Sequence, residues 1–213
     1  GMGVRGGDLK YLDLNNDGVI NGGKSTLEDS GDRVIIGNST PRYHYGLNLT
    51  GEYAGFDLSV FFQGIGKQDW YPGADNLRFW GAYSRPYATF LPRNFMSQVW
   101  SEDNPDAYFP RARAYSSLNT TSGTVYYTND RYLQDLAYCR LKNLTIGYTL
   151  PKKLTTKAYV QNCRIYVTGE NLFTWTKLHS DFIDPEQASA ASDKKSNVYP
   201  WSKTFAVGLN ITF

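Results

Sequence analysis

The final stretch of the chain, Trp201–Phe213, constrains the fold more than any other segment. It reads W-S-K-T-F-A-V-G-L-N-I-T-F. Side chains of an extended strand alternate between two faces. Trp201, Phe205, Val207, Leu209, Ile211 and Phe213 therefore share one face, interrupted only by Lys203. Ser202, Thr204, Ala206, Gly208, Asn210 and Thr212 share the other. An apolar face backed by a small, polar one is what a barrel strand needs between lipid and water. The edge strand of a soluble β-domain carries the same pattern, so this segment alone leaves both readings open.

Composition narrows the choice. Aromatic residues make up 15% of the 213 residues, with 17 Tyr and 11 Phe, and there are 20 Gly. Such a mixture suits strands, turns and the aromatic girdles of membrane interfaces. The chain is hydrophilic on average and holds no run of about 18 apolar residues, which excludes a helical membrane protein but not a barrel. A net charge of +2 without a basic stripe points away from nucleic acid. The N-terminus, G-M-G-V-R-G-G, shows no charged region followed by an apolar one and is read as lacking a signal peptide. That leaves a cytosolic protein or a piece of something larger, and Gly1 before Met2 fits a cloning remnant or an internal cut equally well. Cys139 and Cys163 flank an expected hairpin too far out of register for a disulfide and are read as free thiols.

Five segments alternate with period two: Arg42 to Glu52, Gly55 to Gly64, Ala137 to Leu150, Gln161 to Thr174 and the terminal stretch. Each is long enough to cross a bilayer as a tilted strand. The first two meet through the tight turn E-Y-A-G and the third and fourth through 151–158, whereas long connections follow the second and the fourth. Unstructured connections beyond about 15 residues are uncommon in compact soluble domains, but barrels pair short turns on one side with long loops on the other. A periplasmic C-terminus puts every short turn inside and every long loop outside. The expected fold is therefore all-β, with five antiparallel strands in 42–213 forming part of a large transmembrane barrel, and residues 1–41 forming an extracellular loop. Five strands cannot close a barrel, since single-chain bacterial barrels have at least eight, so the chain reads as a fragment or a nicked piece.

Residues 13–20 read D-L-N-N-D-G-V-I. Oxygen ligands at alternate positions, Asp13, Asn15 and Asp17, with the carbonyl of Val19 and a sharp turn at Gly18, resemble the first half of an EF-hand or dockerin calcium loop. The usual closing acid is replaced by Lys24, and Asp32 is the expected closing carboxylate. Calcium in a structural role is the expected ion, and an ordinary turn built on Asx hydrogen bonds is the alternative.

The stretch from Gln68 to Phe90 is rich in aromatics interleaved with charges. Trp70, Tyr71, Phe79 and Trp80 are candidate contacts for a sugar or peptide, and the others are expected to form the core of the loop itself. Residues 87–100 are expected to hold a short helix that packs Phe90, Phe95, Met96 and Trp100 inward. Acids at 102–106 and 181–186 have no fixed separation, and no nucleophile, zinc or phosphate-loop motif occurs, so no enzymatic activity is expected.

Several runs, in order, resemble the C-terminal region of SusC/RagA-type TonB-dependent transporters. These are G-D-L-K-Y-L-D-L-N-N-D-G-V-I at 7–20, V-I-I-G-N-S-T-P-R-Y-H-Y-G-L-N-L at 34–49, E-Y-A-G-F-D-L-S-V-F-F-Q-G at 52–64, L-K-N-L-T-I-G-Y-T-L-P at 141–151 and R-I-Y-V-T-G-E-N-L-F-T at 164–174. The terminal strand ending on Phe213 also resembles the sorting signal of outer-membrane barrels. The resemblance implies a 22-stranded barrel filled by a plug. It also implies import of oligosaccharides or peptides across the bacterial outer membrane, energy from the TonB complex, and a SusD-like surface lipoprotein as a lid. The plug and the TonB-binding region are not in this sequence. The insertion after Asn21 departs from the family pattern. The competing reading is a soluble, calcium-stabilised carbohydrate-binding β-module.

Overall fold

In the computed structural model, the alternating segments become the strands of one antiparallel sheet. They are β1 (Arg42–Tyr53), β2 (Phe56–Lys67), β3 (Tyr138–Thr149), β4 (Asn162–Thr176) and β5 (Thr204–Thr212). The structure describes residues 4–84, 91–113, 116–119, 125–190 and 201–213. Strands adjacent in sequence are adjacent in the sheet, which is thus a meander with β1 and β5 as its edges. The chain separates into two units. One holds Gly1–Asn38 and Trp70–Gln134, and the other Ser39–Asp69, Asp135–Ala190 and Val198–Phe213.

Local chemistry sets the register. Ala54 and Gly55 take φ of 49° and 86°, the left-handed pair whose twist suits a two-residue hairpin, and Tyr53 pairs with Phe56 across them. After β3, Pro151 precedes a helical turn, Lys152–Thr155, that runs into Thr156–Ala158 and is reversed by Tyr159 at φ 57°. Strict alternation fails once inside the sheet. Phe61 and Phe62 of β2 pair with Asn143 and Leu141 of β3, leaving Lys142 as an extra residue. A bulge of this kind exchanges the faces of everything upstream. Arg140 therefore lies with Asn143 and Thr145, not with Leu144 and Ile146 as uninterrupted alternation predicts. Cys139 and Cys163 are both free thiols.

The other unit has an aromatic core in place of long strands. Phe79, Trp80, Tyr83, Phe95, Phe109 and Tyr132 are all buried. Phe109 sits at the centre, with ring centroids 5.6 Å from Phe79, 5.2 Å from Phe95 and 5.8 Å from both Tyr83 and Tyr132. The polar tips of these rings find partners, as burial demands. The Tyr83 hydroxyl donates to the Pro110 carbonyl, and Trp80 Nε1 donates to the Gly73 carbonyl at 3.0 Å. The helix expected over 87–100 does not form across its described part. Met96–Gln98 is a single 3-10 turn leading into the short strand Val99–Trp100. Phe95 packs inward as expected, but Met96 is 62% exposed, because a tight turn cannot bring both side chains to one core. Phe90 lies outside the described residues.

Candidate functional site

The sheet has two chemically opposed faces. On one, Tyr45, Leu47 and Leu49 of β1, Phe56 and Leu58 of β2, Ile146 of β3, Ile165 and Val167 of β4, and Phe205, Val207, Leu209 and Ile211 of β5 are all exposed. Val207 alone is 77% exposed. Aromatic side chains flank this apolar surface at both ends. Tyr53, Phe56, Tyr148 and Phe213 lie near the short turns, with Phe56 and Tyr148 rings 4.6 Å apart. At the other end, Phe173 stacks on Trp175 at 6.2 Å, and Lys203 lies 5.5 Å over Phe173. Contiguous apolar surface of this extent is unusual on a water-soluble protein.

The opposite face is polar and internally bonded. Asp57 of β2 and Arg164 of β4 pair through two contacts, 2.8 Å from Nε and 2.5 Å from Nη2. They meet above Gly147 of the intervening strand, where a Cβ would lie 2.3 Å from Asp57 Oδ1. The hydroxyls of Thr145 and Thr168 are 2.9 Å apart. Arg140, nearly fully buried, donates from Nε to Thr174 Oγ1 at 2.9 Å, from Nη1 to Glu186 at 2.7 Å, and from Nη2 to Asp184. Lys142 donates to Glu186 at 3.0 Å. Of the acids at 181–186, Asp184 and Glu186 are thus ion-pair partners of the sheet. The signal available beforehand was a pair of cations, Arg140 and Lys142, two residues apart in one strand.

The candidate cation loop is a closed set of Asx hydrogen bonds. Asp13 Oδ2 accepts the N–H of Gly18 at 2.8 Å, Asn15 Oδ1 that of Asp17 at 3.0 Å, and Asp17 Oδ1 that of Val19 at 2.8 Å. Asn15 Nδ2 also donates to Asp17 Oδ2 at 3.0 Å, and the Val19 carbonyl accepts from Asn21 Nδ2 at 3.1 Å. Asp32 bonds to the backbone of the loop. Its two oxygens accept the N–H groups of Leu14 and Asn21, each at 2.7 Å. These bonds, that of Asn21 foremost, hold its carboxyl below the usual carboxylate range. Among the described residues no three His, Cys, Asp or Glu side chains gather as a metal cluster. One oxygen suits a hard cation: Asp13 Oδ1 is buried and has no hydrogen-bond partner.

The four aromatic contact candidates fall in or beside the aromatic core. Phe79 is 2% exposed and Trp80 0%, so their ring faces are taken up by packing. Trp70 is buried, with its Nε1 unpartnered, and Tyr71 is half-buried, its hydroxyl accepting from Asn129 at 3.2 Å. Burial pushes the hydroxyls of Tyr71, Tyr83, Tyr108 and Tyr132 above the ordinary tyrosine range, so they remain neutral hydrogen-bond donors. A separate groove of about 1100 Å³ opens in the same unit. Its lining includes Leu12, Leu14, Ile20, Val34, Trp100 and Tyr127, and none of the four candidates. Glu102, Asp103 and Asp106 are exposed on a turn and form no facing pair of carboxylates.

No protein-family model matches the chain. It is 30% identical to TonB-dependent receptor P26 of Formosa agariphila, over 97% of this chain and 20% of that receptor. Against TonB-dependent receptor P3 of the same organism the identity is 32%, over 98% of this chain and 19% of the receptor. TonB-dependent receptor SusC of Bacteroides thetaiotaomicron is 24% identical over 95% of this chain and 17% of its own length. The fold superposes on the structure of the RagAB peptide importer in the open-open state with a TM-score of 0.61, at 22% identity, covering 95% of this chain and 20% of that one. The chain spans about a fifth of the length of the relatives it matches. The sheet is accordingly a portion of a large antiparallel barrel. With its amphipathic strands and near-complete alignment, the chain is similar over nearly its whole length to part of the TonB-dependent receptors, SusC among them.

Proposed function

We propose that this chain is the C-terminal part of a TonB-dependent transporter in the bacterial outer membrane. Its five strands would form a section of barrel wall, with the short turns and the C-terminus on the periplasmic side. The observation that carries the reading is the sheet itself: an exposed apolar face bordered by aromatics, a hydrogen-bonded polar face, and two open edges. Lipid would cover the first face, water the second, and the remaining strands of the receptor the edges. A plug, the TonB complex and a SusD-like lipoprotein complete the proposed machine, and oligosaccharides or peptides are its proposed cargo. The chain's own role is non-catalytic, because it would form conduit and loops rather than a reaction centre.

Calcium at Asp13, Asn15, Asp17 and the Val19 carbonyl, with Asp32 closing the loop, is part of the proposal. The unpartnered Asp13 Oδ1 supports it. Millimolar calcium outside the cell would fill even a weak site, and its work there would be to staple an external loop. Substrate contact by Tyr71, the most accessible of the four candidate aromatics, is also proposed, with Trp70, Phe79 and Trp80 supporting it from within the core. A soluble carbohydrate-binding module would need some other cover for the apolar face. The direct test is topology in the full-length receptor. Cysteines at Leu47, Leu58 and Val207 should resist a water-soluble thiol reagent in membranes, and cysteines at Ser59 and Thr168 should react. Uniform reaction at all five positions would overturn the reading.

A further inference from the structure

We propose that the segment from Leu178 to Ala190 is a strap folded back over the water-facing side of the sheet, pinned by Arg140, and that it restricts the approach of bulky solutes to the wall beneath. The proposal rests on the barrel reading, in which the polar face lines the conduit. A connection between two strands projects into solvent by default, because its backbone needs water. This one turns inward. The bulge at Lys142 places Arg140 on the polar face, where its guanidinium reaches Thr174 on the neighbouring strand and both acids of the returning segment. Asp184 does two jobs at once. While its Oδ2 accepts from Arg140, its Oδ1 accepts the N–H groups of Glu186 at 3.0 Å and Gln187 at 3.3 Å, which starts the helix Pro185–Ala190. Glu186 is shared between Arg140 and Lys142. Leu178, Ile183 and Ala188 are buried along the segment.

The balance of forces makes the attachment specific and breakable. The apolar area involved is three modest side chains, so the charges decide the position. Burying Arg140 is costly unless all its partners are present, so withdrawing the acids leaves an uncompensated charge and turns the attachment into a liability. The strap therefore depends on the network in a way that a hydrophobic loop core does not.

The test is a thiol-accessibility measurement on the full-length receptor in whole cells, in a Cys139→Ser, Cys163→Ser background. The reporter is Gln63→Cys, on the polar face opposite Arg140 in the sheet register. A small methanethiosulfonate should label it in every variant, and a maleimide carrying a large polyethylene glycol only slowly in the parent. Labelling by the bulky reagent should rise at least tenfold in Arg140→Gln and in the double variant Asp184→Asn, Glu186→Gln. Equal bulky labelling in the parent and the released variants overturns the strap. If Arg140→Gln does not assemble, the double variant, which leaves the strand untouched, decides the matter. Failure of the small reagent everywhere would show that this face is not water-filled, which removes the barrel reading itself.

Discussion

At the scale of single residues, Asp32 and Asp13 do different work within one loop. Asp32 binds backbone at both ends of the turn and carries a lowered pKa, so its contribution is present above the ordinary carboxylate pKa of about 4. That contribution is lost as pH falls through the depressed value. Hydrogen-exchange protection across 13–32, taken relative to the intrinsic exchange rate at each pH, should therefore be unchanged from pH 7 to 5 and fall on further acidification. Asp32→Ala should show the opened behaviour at neutral pH, several-fold faster than the parent. Asp13 supplies the oxygen that the hydrogen bonds leave unused. Chelation of calcium should speed cleavage in this loop in the parent, and Asp13→Ala should abolish that difference. Equal cleavage of the parent with and without calcium would mean that the Asx bonds alone hold the turn. Gly147 illustrates a constraint of a third kind. A side chain there meets the Asp57–Arg164 pair at 2.3 and 2.6 Å. Gly147→Val should cost about 1–3 kcal/mol through overpacking, read as a lower midpoint of barrel unfolding in urea.

At the scale of elements, the five strands were legible in sequence because period-two alternation is a direct imprint of two opposed solvents. Every expected strand appears, with ends displaced by only a few residues. What alternation hides is its own interruption. The run Leu141–Lys142–Asn143 contains no glycine or proline to announce a bulge, so simple alternation assigns Arg140 to the wrong face. Its acid partners then lie more than forty residues away, where no local pattern joins them. The cation loop was legible as a motif, since Asx geometry is local, but whether it holds an ion depends on an oxygen left without a donor. The aromatics of 68–90 were visible by composition. Their burial was not, because the rings that cover them, Phe109 and Tyr132, come from a distant part of the chain. A prediction belongs to β5 as an element: Val207→Arg on the apolar face should destabilise the receptor by about 2–4 kcal/mol near the bilayer midplane. A charge at Asn210, on the other face, should change far less. Urea titration of the receptor refolded into vesicles measures both.

At the scale of the whole molecule, the sheet is unfinished. Its edge strands β1 and β5 each present a row of unshared main-chain donors and acceptors, which invites pairing with any available strand. The 213 residues expressed by themselves should therefore appear as sedimenting aggregate without detergent, and a monodisperse soluble monomer would contradict the fold assignment. Replacing Phe213 by Asp in the complete receptor should lower its outer-membrane level; an unchanged level would remove the terminal aromatic from any part in assembly. The aromatic core of the other unit has a different consequence. Because Phe79, Phe95, Phe109 and Tyr132 come from separate stretches of chain and are folded upon one another, the surface they support is discontinuous in sequence. On the reading that this unit faces outward, antibodies raised against short linear peptides from 70–134 should bind denatured receptor and pass over living cells, while sera raised against intact cells should do the reverse.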